Sequence, residues 1–166
     1  MFKYFLLFFA GFIFSADNET SIDQVGNTIN IDVEQLGSGN IIGGATAAAG
    51  SMTPLDLDGV TMTLDINQIG SSNLFKGDIY ADSYTGFFEF SGSSNIFDIQ
   101  TDPNNTYGAD SSNVNIQVTG SSNDMSLDQA TAAMASTLDL DWIINGSNNT
   151  IDSDICLLYT SRAHET

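Results

Sequence analysis

Gln68-Ile69-Gly70-Ser71-Ser72-Asn73, set between two stretches in which apolar and polar residues alternate, is one of five versions of the same unit. The others are Gln35-Leu36-Gly37-Ser38-Gly39-Asn40, Phe90-Ser91-Gly92-Ser93-Ser94-Asn95, Val118-Thr119-Gly120-Ser121-Ser122-Asn123 and Ile144-Asn145-Gly146-Ser147-Asn148-Asn149. Aligned on their glycines, the units agree column by column. Four residues before the glycine stand Val33, Ile66, Phe88, Ile116 and Trp142, and six before stand Ile31, Leu64, Gly86, Val114 and Leu140. Three after it the residue is always Asn, and five after it come Ile42, Phe75, Phe97, Met125 and Ile151. The columns between are mostly Asp, Glu, Asn, Gln, Ser and Thr. Alternation of period two on both sides of a Gly-Ser-Ser-Asn turn predicts strand, tight arc, strand. Five copies of one such unit predict a repeat protein.

A strand–arc–strand unit has an apolar face on each strand and cannot bury both alone. Stacking copies at about 4.8 Å per row lets each backbone group pair with the rows above and below, while two sheets face each other about 10 Å apart over the apolar columns. The predicted fold is therefore all-β: a β-solenoid of about five repeats forming two facing parallel sheets, with a β-sandwich as the alternative. Gly37, Gly70, Gly92, Gly120 and Gly146 are expected in the arcs because glycine takes positive φ freely, with Ser and Asn bonding the backbone locally. The inward column Asn40, Asn73, Asn95, Asn123 and Asn149 needs partners if buried, and amides stacked in register supply them to one another. The aligned register also predicts Val33, Ile66, Phe88, Ile116 and Trp142 in one buried row, with Asp65, Glu89 and Asp98 outside.

The glycines are spaced by 33, 22, 28 and 26 residues. The shortest step is the bare unit, and the longer ones carry insertions at Ala45 to Gly59, Thr101 to Ser111 and Ala130 to Thr137. Insertions confined to one joint per repeat suit a solenoid with one variable edge. The Ala-rich parts of the first and third read equally as short helices. Between Asn18 and Gly26 lies a half-copy, Ile22-Asp23-Gln24-Val25-Gly26-Asn27, which reads as a unit with a shortened arc.

The ends differ from the repeats. Residues 1–16 place Lys3 ahead of the apolar run Phe5 to Phe14 and close on Ser15-Ala16 before Asp17-Asn18-Glu19. The run is too short for a bilayer and has the form of a secretory signal peptide, so the chain is expected to be exported, secreted or at the cell surface. Residues 156–166 hold the chain's single Cys, its single His and its single Arg. They resemble a translated sequencing adaptor and are read as an artefactual tail lying outside the stack, the natural C-terminus being expected to differ. Between them, residues 17–155 form one repeat domain carrying 20 of the chain's 21 acidic residues, with Lys76 as its base. That balance argues against nucleic acid and anionic membrane surfaces, where counterion release requires Lys and Arg. No disulfide framework is expected.

The pattern Gln-x-Gly-x-x-Asn between alternating strands resembles the curlin repeat of curli-type fibre subunits, which are secreted functional amyloids. Gln35, Gly37 and Asn40, then Gln68, Gly70 and Asn73, match its core, and Gln129 falls where that pattern has its second Gln. The first Gln is replaced by Phe90, Val118 and Ile144 in the remaining copies. The resemblance spans residues 22–155 outside the insertions. It implies a solenoid in which Gln35, Asn40, Gln68, Asn73, Asn95, Asn123, Gln129 and Asn149 form ladders that serve self-assembly. It also implies a homopolymer as partner, with a curli-type secretion and nucleation system, in a biofilm matrix and in cell adhesion.

The function classes separate on what each needs. A fibre subunit needs open strand edges at its two ends. A monomeric adhesin, or an ice-, glycan- or calcium-binding solenoid, needs a flat array of one residue type on an outer face, and Thr61-x-Thr63 reads as standing alone. A polysaccharide-cleaving enzyme needs paired carboxylates in a groove; here the acids are spread over repeat positions, and a solvated face accounts for them. Asp56-x-Asp58, Asp139-x-Asp141 and Asp152-x-Asp154 could share a cation, but alternation alone generates such pairs. The expectation is a structural protein that is not an enzyme, with no cofactor and no metal. The sequons at Asn18, Asn104 and Asn148 receive no role.

Overall fold

The computed structural model describes residues 18–43, 55–104, 108–129 and 136–156. The signal-peptide segment, residues 157–166 of the tail and the Ala-rich stretches lie outside them; Cys156, expected outside the stack with the tail, instead continues its ladder, its N donating to Gln129 O at 3.1 Å. Thirteen strands follow in order: β1 (Glu19–Thr20), β2 (Asp23–Val25), β3 (Thr28–Leu36), β4 (Ile41–Ile42), β5 (Leu55–Asp58), β6 (Thr61–Ile69), β7 (Ser72–Tyr80), β8 (Ser83–Ser91), β9 (Ser94–Thr101), β10 (Ser111–Gly120), β11 (Asn123–Gln129), β12 (Thr137–Gly146) and β13 (Asn149–Ile155). All pairings are parallel. The chain alternates between two sheets. The first holds β1 with β2, β4 with β5, then β7, β9, β11 and β13; the second runs β3-β6-β8-β10-β12. This is a β-solenoid with two facing parallel sheets, all-β as predicted.

The register follows the glycine alignment. Val33, Ile66, Phe88, Ile116 and Trp142 stand in one row across the second sheet. The middle three are buried, whereas Val33 and Trp142 are partly buried because they lie in the first and last strands of that sheet. Asp65 and Glu89 face solvent, and Asp98 is partly exposed in an ion pair with Lys76. Strict alternation, such as the eBeBeBiBe of β6, puts every second residue in the core. Phe75, Phe88, Phe90 and Phe97 form the centre of that core, and Phe97 meets the Trp142 ring edge-on with centroids 6.3 Å apart.

Three expectations are corrected. The segment Asn18–Val25 is a half-turn on the first sheet, with Asn18 at the ladder position: its carbonyl accepts from Ile41 N at 2.8 Å, as the Asn40 carbonyl accepts from Leu74 N. Gly26-Asn27 therefore belongs to the opposite arc, where Gly26 N donates to Asp58 O, and is not a shortened Gly-Ser-Ser-Asn turn. Second, the first insertion does not sit at the arc joint: Leu55–Asp58 is strand β5, completing the row that β4 begins, so the inserted residues interrupt a row. The other two insertions do lie at the second arc, before β10 and β12. Third, the φ argument covers only Gly37 (143°) and Gly146 (155°) among the arc glycines. At Gly70, Gly92 and Gly120 the reason is close approach, since an added Cβ would run into the carbonyl oxygen of the glycine one row earlier. Stacked arcs leave no room for a side chain there.

Candidate functional site

The arc asparagines form a continuous ladder with a direction. Each Nδ2 donates to the Oδ1 of the next row: Asn40 to Asn73 at 3.2 Å, Asn73 to Asn95 at 2.7 Å, Asn95 to Asn123 at 2.6 Å and Asn123 to Asn149 at 2.6 Å. Asn40, Asn73, Asn95 and Asn123 are buried, and Asn149 is exposed at the last row. Asn18 breaks the sequence, because its Nδ2 donates to Leu36 O at 3.0 Å instead. Asn40 Oδ1 is consequently buried with no hydrogen-bond partner.

The glutamines behave differently. Gln68 Nε2 donates to Gln35 Oε1 at 2.7 Å, and Gln35 Nε2 in turn reaches Thr20 Oγ1 at 3.0 Å. Phe90 occupies the next row of that column, so the ladder stops and Gln68 Oε1 is left buried without a donor. Gln129 lies at the opposite edge of the core and joins no amide ladder. Its Nε2 donates to Ser112 Oγ at 3.1 Å, and its Oε1 accepts from Tyr84 Oη at 3.1 Å, with Thr101 Oγ1 3.2 Å from the same hydroxyl. Complete burial pushes the Tyr84 hydroxyl up to about 12. The sequence reading missed Tyr84, Thr101 and Ser112 as a group; the available signal was Ser112, a polar residue in a column otherwise holding Ile29, Met62, Tyr84 and Leu138.

Outside the first sheet, in-register carboxylates form the column Asp23, Asp56, Asp78, then Gln100, then Asp128 and Asp154. Burial first, then the Asp56 charge, raises the Asp78 carboxyl above its usual range; burial, then Asp154, does the same for Asp128. Asp98 and Asp152 are two rows apart with Ser126 between them. Among the described residues, no three or more His, Cys, Asp or Glu side chains come together as a metal site. On the outer face of the second sheet, Thr28, Thr61, Ser83, Ser111 and Thr137 form an unbroken hydroxyl column, and Ser83-x-Thr85 repeats the Thr61-x-Thr63 pair one row on. The expectation that this pair stands alone is corrected to that extent. The signal was present nine residues before each arc glycine.

The two ends of the stack differ. At the last rows, Leu138, Leu140, Trp142 and Ile144 are only partly buried, and Ile151, in the column of Phe75, Phe97 and Met125, is 56 % exposed. At the first rows Ile29, Ile31 and Ile42 are buried, with the half-turn Asn18–Val25 lying over β4 and β5. The outer edges of β12 and β3 have no strand beside them among the described residues. No helix among the described residues is long and apolar enough to cross a membrane. No family model, no curated protein and no solved structure matches this chain.

Proposed function

We propose that the chain is an exported, curlin-like structural subunit that stacks end to end into fibres of an extracellular matrix or biofilm and serves adhesion there, not catalysis. The observation that carries this reading is the last row among the described residues: a ten-residue edge on β12 with no strand beside it there, next to a partly buried apolar row. Such an edge offers a full set of backbone donors and acceptors together with apolar area that only another row would cover. The Asn ladder reaches the same end and supports stacking in register. A curli-type secretion and nucleation system remains the implied partner. The test is incubation of the purified chain with Thioflavin-T followed by electron microscopy. Unbranched fibres with a rise in dye fluorescence are expected; a chain that stays monodisperse overturns the proposal.

The second reading is a monomeric acidic β-solenoid that binds glycan or calcium. The hydroxyl column from Thr28 to Thr137 favours it, because it is a flat periodic array of one chemistry. A polysaccharide pull-down that weakens on Thr61→Val and Thr137→Val, in a chain that forms no fibres, is its signature.

A further inference from the structure

Among the described residues the first sheet has six rows, counting β1 with β2 and β4 with β5 as one each, and the second has five. The first and last described rows both lie on the first sheet. If a second copy sets its half-turn Asn18–Val25 on β13, then one row stays empty between β12 and that copy's β3. If instead β3 pairs with β12, then β13 and the half-turn compete for a single slot over β4 and β5. A gapless junction of the described rows requires the half-turn to leave.

Register shows what each occupant brings to that slot. Thr20, Ile22 and Gln24 lie in the columns in which β13 places Ile151, Ser153 and Ile155. Asn18 lies in the column of Asn149. Exchange therefore covers the half-exposed Ile151 and puts Ile155 where Gln24 stands. It gives up Ile22 for Ser153, and Gln35 loses its 3.0 Å bond to Thr20 Oγ1. The buried Asn40 Oδ1, 0 % exposed and without a donor, faces the slot that Asn18 fails to serve. Among the described residues, Asn149 Nδ2 donates to its own Gly146 O at 3.3 Å and to no amide of a further row. Following the ladder's direction, it would supply the missing bond.

We propose that residues Asn18–Val25 are a built-in cap on the growing end of the stack, and that a second copy of this chain displaces them with its β13. This rests on the fibre reading above and adds its regulation: assembly is gated by release of the half-turn. The cap holds by short strands of two and three residues, whereas β13 offers seven. The ladder makes the junction head to tail, because two like ends would bring donor to donor or acceptor to acceptor.

The experiment traps the junction in chains carrying Cys156→Ser. Chains with Asp154→Cys are mixed during assembly with chains carrying either Asp56→Cys or Asp23→Cys, and then oxidised. All three positions are exposed in one column. Within one chain, positions 56 and 154 are four row steps apart, about 19 Å, beyond the reach of a disulfide. The expected product links 154 to 56. A link from 154 to 23, or fibres with neither link, overturns the cap. In parallel, Ile22→Ser loosens the half-turn and is expected to speed elongation by about tenfold, as the competent fraction rises; an unchanged or slower rate also overturns the cap. If no variant forms fibres, the fibre reading itself falls and the cap with it. Fibres without the 154–56 link remove the cap alone.

Discussion

At the scale of single residues, the amide ladder makes Asn95 and Asn104 opposite cases. Asn95 accepts from Asn73 at 2.7 Å and donates to Asn123 at 2.6 Å inside the stack, whereas Asn104 makes one 3.5 Å contact to Tyr80 Oη on the surface. Asn95→Leu strands a donor below and an acceptor above, at about 1–3 kcal/mol for each unsatisfied group. Thermal melts should show a clear drop for Asn95→Leu and almost none for Asn104→Leu; equal melting temperatures would remove the ladder as a source of stability. Tyr84 allows a pH test. Its folded-state hydroxyl is raised from 10.0 to about 12, chiefly by burial. The protonated form is favoured in the fold, so this stabilisation is complete below the unfolded value of about 10 and lost as pH rises through about 12. Urea melts across that window should show wild-type stability falling faster than that of Tyr84→Phe. The variant starts lower, because Gln129 Oε1 loses its donor at a cost of about 1–3 kcal/mol.

Within each element, alternation decides the facing, and this is why so much of the fold was legible. The column four before each glycine placed Ile66, Phe88 and Ile116 in the core, and a one-residue slip would have turned all of them out. Phe97 shows what that placement contributes: it is 1 % exposed and touches the rings of Phe75, Phe88, Phe90 and Trp142. Phe97→Ala should destabilise the chain by about 3–5 kcal/mol in denaturant melts, while Phe87→Ala, on a half-exposed outer position of β8, should change little. The illegible parts have physical reasons as well. Leu55–Asp58 reads as part of an insertion because four residues of alternation carry little signal once a row is interrupted after Gly43. In the sequence the half-turn aligns on Gly26-Asn27 because its true anchor is Asn18, which follows Ser15-Ala16-Asp17 and not the Gly-Ser-Ser that marks the others. The curlin resemblance puts Gln129 in a ladder, whereas its neighbours in the column, Thr101 and Ile155, have no amide to stack with.

For the whole molecule, charge opposes stacking, and the opposition depends on pH. A junction in which β13 covers β4 and β5 puts Asp154 over Asp56, within a column that already holds Asp78 and Asp128. Two carboxylates about 4.8 Å apart repel by roughly 0.9 kcal/mol even at the dielectric of water, before salt screening. Each junction in a fibre repeats this, and the described residues hold one basic side chain, Lys76, already paired with Asp98. Asp78 and Asp128 are raised above the ordinary carboxylate range, first by burial and then by neighbouring carboxylates. For a raised carboxyl the neutral form is the one the stack favours, so its penalty is full at neutral pH and disappears as pH falls through the raised value towards about 4. Fibre growth should therefore accelerate on acidification and with added salt. Asp78→Asn and Asp128→Asn should shift the onset of growth towards neutral pH without slowing growth in acid. Light scattering with microscopy across pH reads this directly. Growth fastest in mildly alkaline buffer of low salt would mean that the acidic column does not control assembly, and that the gate lies in the half-turn alone.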